Sequence, residues 1–199
     1  QSAFDRVLAC IPFKGQVLNQ VSAFWFENTR HIVNNHLIST PDPNITIAKK
    51  CTVFPIEFVV RGYLTGSTST SAWTLYSNGE RNICGNMMPE GMVKNQKFEK
   101  PILTPTTKSD LHDESISVEE ILNRKLIDES TWKKLESIVF ALFEYGTQTA
   151  AKNGLILVDT KYELGLDTEG NILLIDEIHT PDSSRYWLSS SYRERLEQN

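Results

Sequence analysis

Asp159, Lys161 and Glu163 stand at alternate positions of an otherwise apolar run, and a second apolar run, Ile172 to Ile175, ends at Asp176. In extended backbone alternate side chains share a face, so the three ionisable groups form one polar stripe, with Val158, Tyr162 and Leu164 on the other side. A turn at Glu169-Gly170 makes the two runs a hairpin and sets Glu163 directly across from Asp176. Like charges facing each other destabilise paired strands, and the remedies are a cation, a proton or a bridging lysine. Two carboxylates holding a divalent metal, with phosphate supplying further ligands, suit this layout. The competing reading is an exposed hairpin face carrying ordinary surface charge.

Three other stretches carry chemistry-bearing residues. Residues 57–67 run Glu-Phe-Val-Val-Arg-Gly-Tyr-Leu-Thr-Gly-Ser. The planar fork of Arg61 matches phosphate oxygens, glycines let backbone N–H groups approach an anion, and Ser67 adds a hydroxyl donor. The stretch is not a P-loop, because G-x-x-x-x-G-K-[ST] occurs nowhere in the chain. Taken alone, Arg61 reads more readily as a surface arginine at a strand end. Lys108, Asp110, His112 and Asp113 crowd a loop after Pro105; the alternative is a solvated connection, and no nucleophile pairs with His112. The third stretch, His179 to Arg185, offers Asp182, two serines and a second arginine, with His179 read as a structural hydrogen-bonder. Lys14, at a helix N-terminus, is a further phosphate candidate. Arg30 and Arg195 receive no role.

These groups need elements to position them. Residues 15–35 read as an amphipathic helix whose stripe of Val17, Leu18, Val21, Phe24, Trp25 and Ile32 packs into the core. Thr40-Pro-Asp-Pro-Asn44 is a turn-rich break. Strands are expected at Ile45 and Ile47, at 51–54 and at 58–60. Residues 65–105 read as irregular, with a short linker-like run from Gly66 to Ser71. Ser117 and Glu120 form a capping box for a helix over 118–123. A long helix over about 130–152 buries Leu135, Ile138, Val139, Leu142, Phe143 and Ala150, with Gly154 as its stop. Segregated strands and helices make the class α+β.

The chain has 199 residues, enough for one large domain or two lobes. A net charge of −5 argues against general binding to nucleic acid or membrane surfaces, but not against one local phosphate pocket. Cys10, Cys51 and Cys84 are widely spaced and form no C-x-x-C pair, so neither a zinc site nor a disulfide framework is expected, and a reducing compartment suits them. No signal peptide opens the chain and no run reaches membrane-spanning length. The abrupt start at Ser2-Ala-Phe-Asp-Arg6 leads us to expect further residues upstream.

Taken in order, these motifs resemble the SAICAR synthetase (phosphoribosylaminoimidazole-succinocarboxamide synthase) family over nearly the whole chain. The resemblance rests on Ser2-Ala-Phe-Asp-Arg6, Lys14-Gly-x-Val-Leu-x-Gln20, residues 54–67, Thr104-Pro-Thr-Thr-Lys108, His112-Asp-Glu114, Asp159-Thr-Lys-Tyr-Glu163, Asp176-Glu177 and Pro181-Asp-Ser-Ser-Arg185. It implies a two-lobed, kinase-like architecture of antiparallel sheets, with residues 1–57 belonging to a nucleotide-binding lobe and 58–199 to a substrate- and metal-binding lobe. It implies small-molecule substrates: ATP, carboxyaminoimidazole ribonucleotide and L-aspartate, with Mg²⁺ and without nucleic acid or membrane partners, in the cytoplasm or, for a plant-type member, a plastid.

By resemblance, Glu163 and Asp176 hold metal. Lys161, Asp159 and Asp113 are catalytic, Lys161 lying between substrate carboxylate and phosphates and Asp159 orienting substrate or lysine. Arg61, Ser67 and Arg185 grip the ribonucleotide phosphate, while Lys108, Ser2 and Asp5 line the substrate site. Glu57 and Val59 belong to an interlobe hinge whose backbone meets adenine, and Lys14 contacts the nucleotide. The family's glycine-containing strand pair over the ATP phosphates has no counterpart among these residues. Two other readings share the same motifs: a phosphotransferase that stops at phosphorylation, and a nucleotide-binding module without turnover.

Overall fold

The computed structural model describes residues 9–108 and 114–198. Ser2, Asp5, Asp110, His112 and Asp113 therefore lie outside the described residues.

Helix α1 (Lys14–Asn28) is shorter than its hydrophobic spacing suggests. Thr29 closes it, donating both its backbone N–H and its hydroxyl to the Trp25 carbonyl. The chain beyond pairs instead with a strand: His36 N–H donates to Leu174 O, and Leu174 N–H to Asn34 O. The expected core stripe also fails in part. Trp25 and Phe26 are buried, while Val17 and Phe24 are about half exposed.

Strands β1 (Leu37–Asp42) and β2 (Ile45–Ala48) form an exposed hairpin whose turn is narrower than the expected break. Then come β3 (Thr52–Val53) and β4 (Ile56–Tyr63). The expected lobe boundary at 57/58 falls inside β4. Residues 65–105 are more regular than their Gly and Pro content suggests: they hold α2 (Ala72–Ser77), β5 (Asn82–Ile83), β6 (Asn86–Met87) and β7 (Lys97–Leu103). The supposed linker ends in Ser71, which caps α2 through the Thr74 N–H. Strand β7 tolerates Pro101 because it lies at the sheet edge, where a missing N–H leaves no ladder partner unsatisfied.

The remaining elements are β8 (Thr106–Thr107), α3 (Val118–Asn123), α4 (Glu129–Lys152), β9 (Leu155–Leu166), β10 (Ile172–Ile175), β11 (Ser184–Leu188) and α5 (Ser189–Glu197). The capping box of α3 forms with both bonds in place, Glu120 N–H to Ser117 Oγ and Ser117 N–H to Glu120 Oε2. Helix α4 buries Leu135, Val139, Leu142, Phe143 and Ala150, and Gly154 follows it in the left-handed region (φ 69°).

Among the described residues, one seven-stranded sheet runs β10-β9-β4-β7, with β3 and β11 also pairing β9 and β8 pairing β4. Among the described residues its strands pair antiparallel. One face of β9 and β4 is largely apolar: Ile56, Phe58, Val60, Tyr162 and Leu164 have no exposed surface, and they share the main core with α4 and Trp25. The other face is the polar one.

Candidate active site

The polar face is built from two strands. On β4, burial alternates with period two, leaving Glu57, Val59 and Arg61 on the side opposite the core. On β9, Asp159, Lys161 and Glu163 do the same. The register pairs Arg61 with Asp159 and Val59 with Lys161, so the two rows lie side by side.

At one end stands an arginine clamp. Arg185 Nε donates to Asp159 Oδ1 at 2.9 Å, and Arg61 NH1 lies 3.8 Å from Asp159 Oδ2. Arg61 Nε is held by Thr104 Oγ1 at 2.8 Å. Burial pulls the Arg61 pKa down, opposed by the charge of Asp159, and neighbouring Arg185 lowers it further. Two guanidinium charges against one carboxylate leave one formal positive charge in a recessed setting, suited to a phosphate. The loop after β4 closes over it: Gly66 (φ 114°) lies so near that a Cβ would stand 3.5 Å from Arg185 NH1 and collide with Ser71. Exposed Ser67 follows at the rim.

At the other end stands a cluster of carboxylates and lysines. Lys161 Nζ donates to Glu163 Oε1 at 2.7 Å, Glu57 Oε1 at 3.2 Å and Asp176 Oδ2 at 3.3 Å. Lys108 Nζ pairs with the other oxygen of Glu163. Burial works against the charge on Lys161, but Glu163, Glu57 and Asp176 outweigh it and raise its pKa. Glu163 is the mirror case: burial pushes its pKa up, and its bonds to Lys108 and Lys161 outweigh burial and hold it low.

Three sequence expectations change here. Glu163 lies across from Ile175, not Asp176, because three residues, Thr168 to Gly170, separate the paired Asp167 and Asn171, one more than a two-residue turn at Glu169-Gly170 allows. Asp176, just past the end of β10, turns away in the left-handed region (φ 64°). Asp176 still reaches the cluster, by that turn rather than by register. The company of acidic groups is relieved by Lys161 and Lys108, the bridging-lysine remedy. The hinge assignment of Glu57 and Val59 does not hold, because β4 lies between β9 and β7/β8: Val59 O accepts from Thr104 N–H, and Glu57 pairs with Thr106. Glu57 instead contributes its carboxylate to the cluster, a role that its alternation with Arg61 could have revealed.

The turn forms one residue earlier than expected, at Thr168-Glu169, with Gly170 N–H donating to Asp167 O and Gly170 itself left-handed (φ 83°). His179 is the structural hydrogen-bonder foreseen, buried with Nε2 on the Tyr162 hydroxyl at 2.6 Å. Lys14 pairs with Asp182 at 3.1 Å, both about half exposed.

As a metal site the cluster offers oxygen donors only, which suits a hard cation. Among the described residues no three His, Cys, Asp or Glu side chains form a ready-made cage. Two carboxylates with open positions fit an ion that keeps water and takes phosphate oxygens, as Mg²⁺ does. No helix of the described residues is long and apolar enough to cross a membrane.

Comparison with known proteins follows the same direction. The family model described as SAICAR synthetase matches residues 1–199. A chloroplastic phosphoribosylaminoimidazole-succinocarboxamide synthase from Vigna aconitifolia is 60% identical over 197 residues, covering 99% of this chain and 58% of the relative. A SAICAR synthase from Saccharomyces cerevisiae, solved with SAICAR, superposes with a TM-score of 0.81 at 32% identity, over 92% of this chain and 66% of that one. A SAICAR synthetase solved with ADP gives 0.75 at 28% identity, over 96% and 77%. The chain thus spans under two thirds of the length of the Vigna relative.

Proposed function

Because the chain belongs to the SAICAR synthetase family, we propose that it works as an ATP-dependent ligase, joining L-aspartate to the carboxylate of carboxyaminoimidazole ribonucleotide to give the succinocarboxamide, ADP and phosphate. One observation carries this reading: the arginine clamp and the carboxylate–lysine cluster occupy the two ends of a single strand face. Asp159 and Glu163 are four residues apart, about 13 Å of extended chain. A ribonucleotide laid along that face puts its 5′-phosphate on Arg61 and Arg185, under Ser67, and its base carboxylate beside Lys161.

The chemistry then follows. A carboxylate is a poor electrophile. Its oxygen attacks the γ-phosphorus of ATP, the bond to ADP breaks, and an acyl phosphate with a good leaving group results. The amine of L-aspartate attacks the acyl carbon and loses a proton, and phosphate departs with the electrons of the C–O bond. Lys161 remains an ammonium throughout, since its neighbours raise its pKa. It therefore serves as a fixed positive charge beside the transferring phosphoryl, not as a base. Asp159 holds the two arginines in place for the ribonucleotide. Glu163 and Asp176 would hold Mg²⁺, which supplies neutralisation of phosphate charge. Lys108, already on Glu163, lines the same end, and Lys14 is retained as a nucleotide contact. We assign the work to the cytoplasm, or to a plastid in a plant-type member.

The test measures ADP release from the full-length protein with and without L-aspartate and looks for the succinocarboxamide. Aspartate-dependent amide supports the ligase. ADP without amide under every condition marks a phosphotransferase, and nucleotide binding without turnover marks a regulatory module.

A further inference from the structure

We infer that His179 is a positioning residue, whose buried imidazole pins the arm carrying Asp176 to the underside of the polar strand. Both Asp176 and His179 adopt left-handed backbone, with φ of 64° and 53°. Non-glycine residues stay there only when their surroundings hold them.

His179 is held from several sides. Its Nε2 meets the hydroxyl of Tyr162, which sits in β9 between Lys161 and Glu163 and points into the core. Its carbonyl accepts from the Tyr186 hydroxyl of β11 at 3.0 Å. The edge of Trp25 stands against its ring at 4.6 Å between centroids. Gly146 of α4 presses on the same ring, so closely that a Cβ there would stand 2.9 Å from both ring nitrogens. Helix α4, otherwise lined with large apolar residues, thus leaves a socket for one imidazole.

The far end of the loop is fastened without His179. Ser184 N–H donates to Thr180 O at 2.9 Å, the Ser184 and Thr160 hydroxyls meet at 2.7 Å, and Arg185 already pairs in register with Asp159. Loosening His179 should therefore release the Asp176 end and spare the arginine clamp. That split separates a positioning role from a merely structural one.

The experiment compares the full-length wild type with Gly146→Ala, His179→Gln, His179→Ala and the double variant Gly146→Ala/His179→Ala. Its kinetic arm rests on the ligase reading; its second arm, amide hydrogen exchange over residues 176–182, does not. Gly146→Ala and His179→Ala should each lower kcat by about 10²-fold, the scale set by a misplaced catalytic group. Both should raise the half-saturating Mg²⁺ concentration, leave the ribonucleotide KM within about twofold, and speed exchange over 176–182 but not 185–188. His179→Gln, whose amide can still meet Tyr162, should recover much of the loss. Gly146→Ala should add nothing once His179 is Ala, because the ring it collides with is gone. If His179→Ala does not fold, His179→Gln becomes the background for that comparison. Equal losses from Gly146→Ala in both backgrounds, a ribonucleotide KM that rises in step, or unchanged exchange over 176–182 would overturn the inference. A wild type that forms no amide removes the ligase reading, and the exchange arm then decides alone.

Discussion

Lys161 and Glu163, two positions apart on β9, touch along one face of the strand, Nζ to Oε1 at 2.7 Å. The same ammonium also gathers Glu57 and Asp176, so the least exposed carboxylate of the cluster, Glu163, shares its cation with two others. Formally, two ammonium charges (Lys108, Lys161) stand against three carboxylates (Glu57, Glu163, Asp176), which leaves one net negative charge. That is enough to attract a cation and too little to break the sheet without one.

This balance separates two substitutions that look alike on paper. Glu163→Gln removes the one carboxylate among the described residues that accepts from both lysines, and its side chain is 6% exposed. It should lower stability by about 1–3 kcal/mol, since charged partners are left in a partly buried setting. Asp176 is 44% exposed, and Asp176→Asn should cost at most about 1 kcal/mol, as for surface pairs. Both should abolish turnover if both hold metal. Urea denaturation and turnover measured side by side check the contrast; equal stability losses would show that Lys161 does not distinguish its partners as the distances indicate.

The arginine clamp yields a second contrast. Arg61 is largely buried and bonded to Thr104, so Arg61→Ala should damage folding as well as binding and is a poor probe of phosphate affinity. Arg185 is about half exposed. Arg185→Lys keeps the charge but loses the fork, and should raise the ribonucleotide KM about tenfold, or about 1.4 kcal/mol, with kcat little changed. A steady-state KM unaffected by Arg185→Lys would take this residue out of the phosphate site.

Much of this site was legible before any coordinates. The alternation of Asp159, Lys161 and Glu163 announced a one-faced polar strand, because period two is a local property of extended backbone. The capping box of α3 and the stripe of α4 were legible for the same reason: their partners lie within a turn or two. What escaped depended on distant pairing. Strand β7 carries two lysines and a proline, and only its edge position against β4 makes it a strand. The shift of Asp176 out of register comes from a turn one residue longer than the expected two, closed by Asp167 and Asn171, which periodicity cannot show. The part Glu57 plays requires knowing that β4 lies beside β9. Val17 and Phe24 have helical spacing yet stay exposed, since periodicity tells which residues share a face and not what covers it.

Capping offers a local check on the fold independent of the site. Ser117 Oγ accepts the Glu120 N–H while Glu120 reaches back to Ser117, and the helix they start seats Ile121 with no exposed surface. Ser117→Ala should cost about 1 kcal/mol. Glu120 is held below the ordinary carboxylate range chiefly by the Ser117 N–H, so Ser117→Ala should leave most of that depression in place. Thermal denaturation with carboxylate titration by NMR tests both, and an unshifted melting temperature would mean that α3 is held by packing alone.

His179 sets the acid limb of stability. Burial lowers its pKa from 6.5 to about 3, and Tyr162, its partner, has a pKa raised well above 10 by burial and stays protonated across that interval. The unfolded chain therefore takes up a proton near pH 6.5 that the folded chain refuses until about pH 3. Between those values the unfolded state binds more protons, so stability falls as pH falls, by on the order of 4 kcal/mol in all. Glu163, also depressed, adds to the loss in the same direction. His179→Gln removes the first contribution and keeps the second. The variant should be the less stable protein at pH 7, and its stability should decline less steeply on acidification, so that the two curves converge toward pH 4. Guanidinium unfolding at half-unit pH steps from 7 to 4 measures both slopes; parallel curves would mean that the imidazole is hydrated or protonated in the folded state, contrary to the buried neutral ring described above.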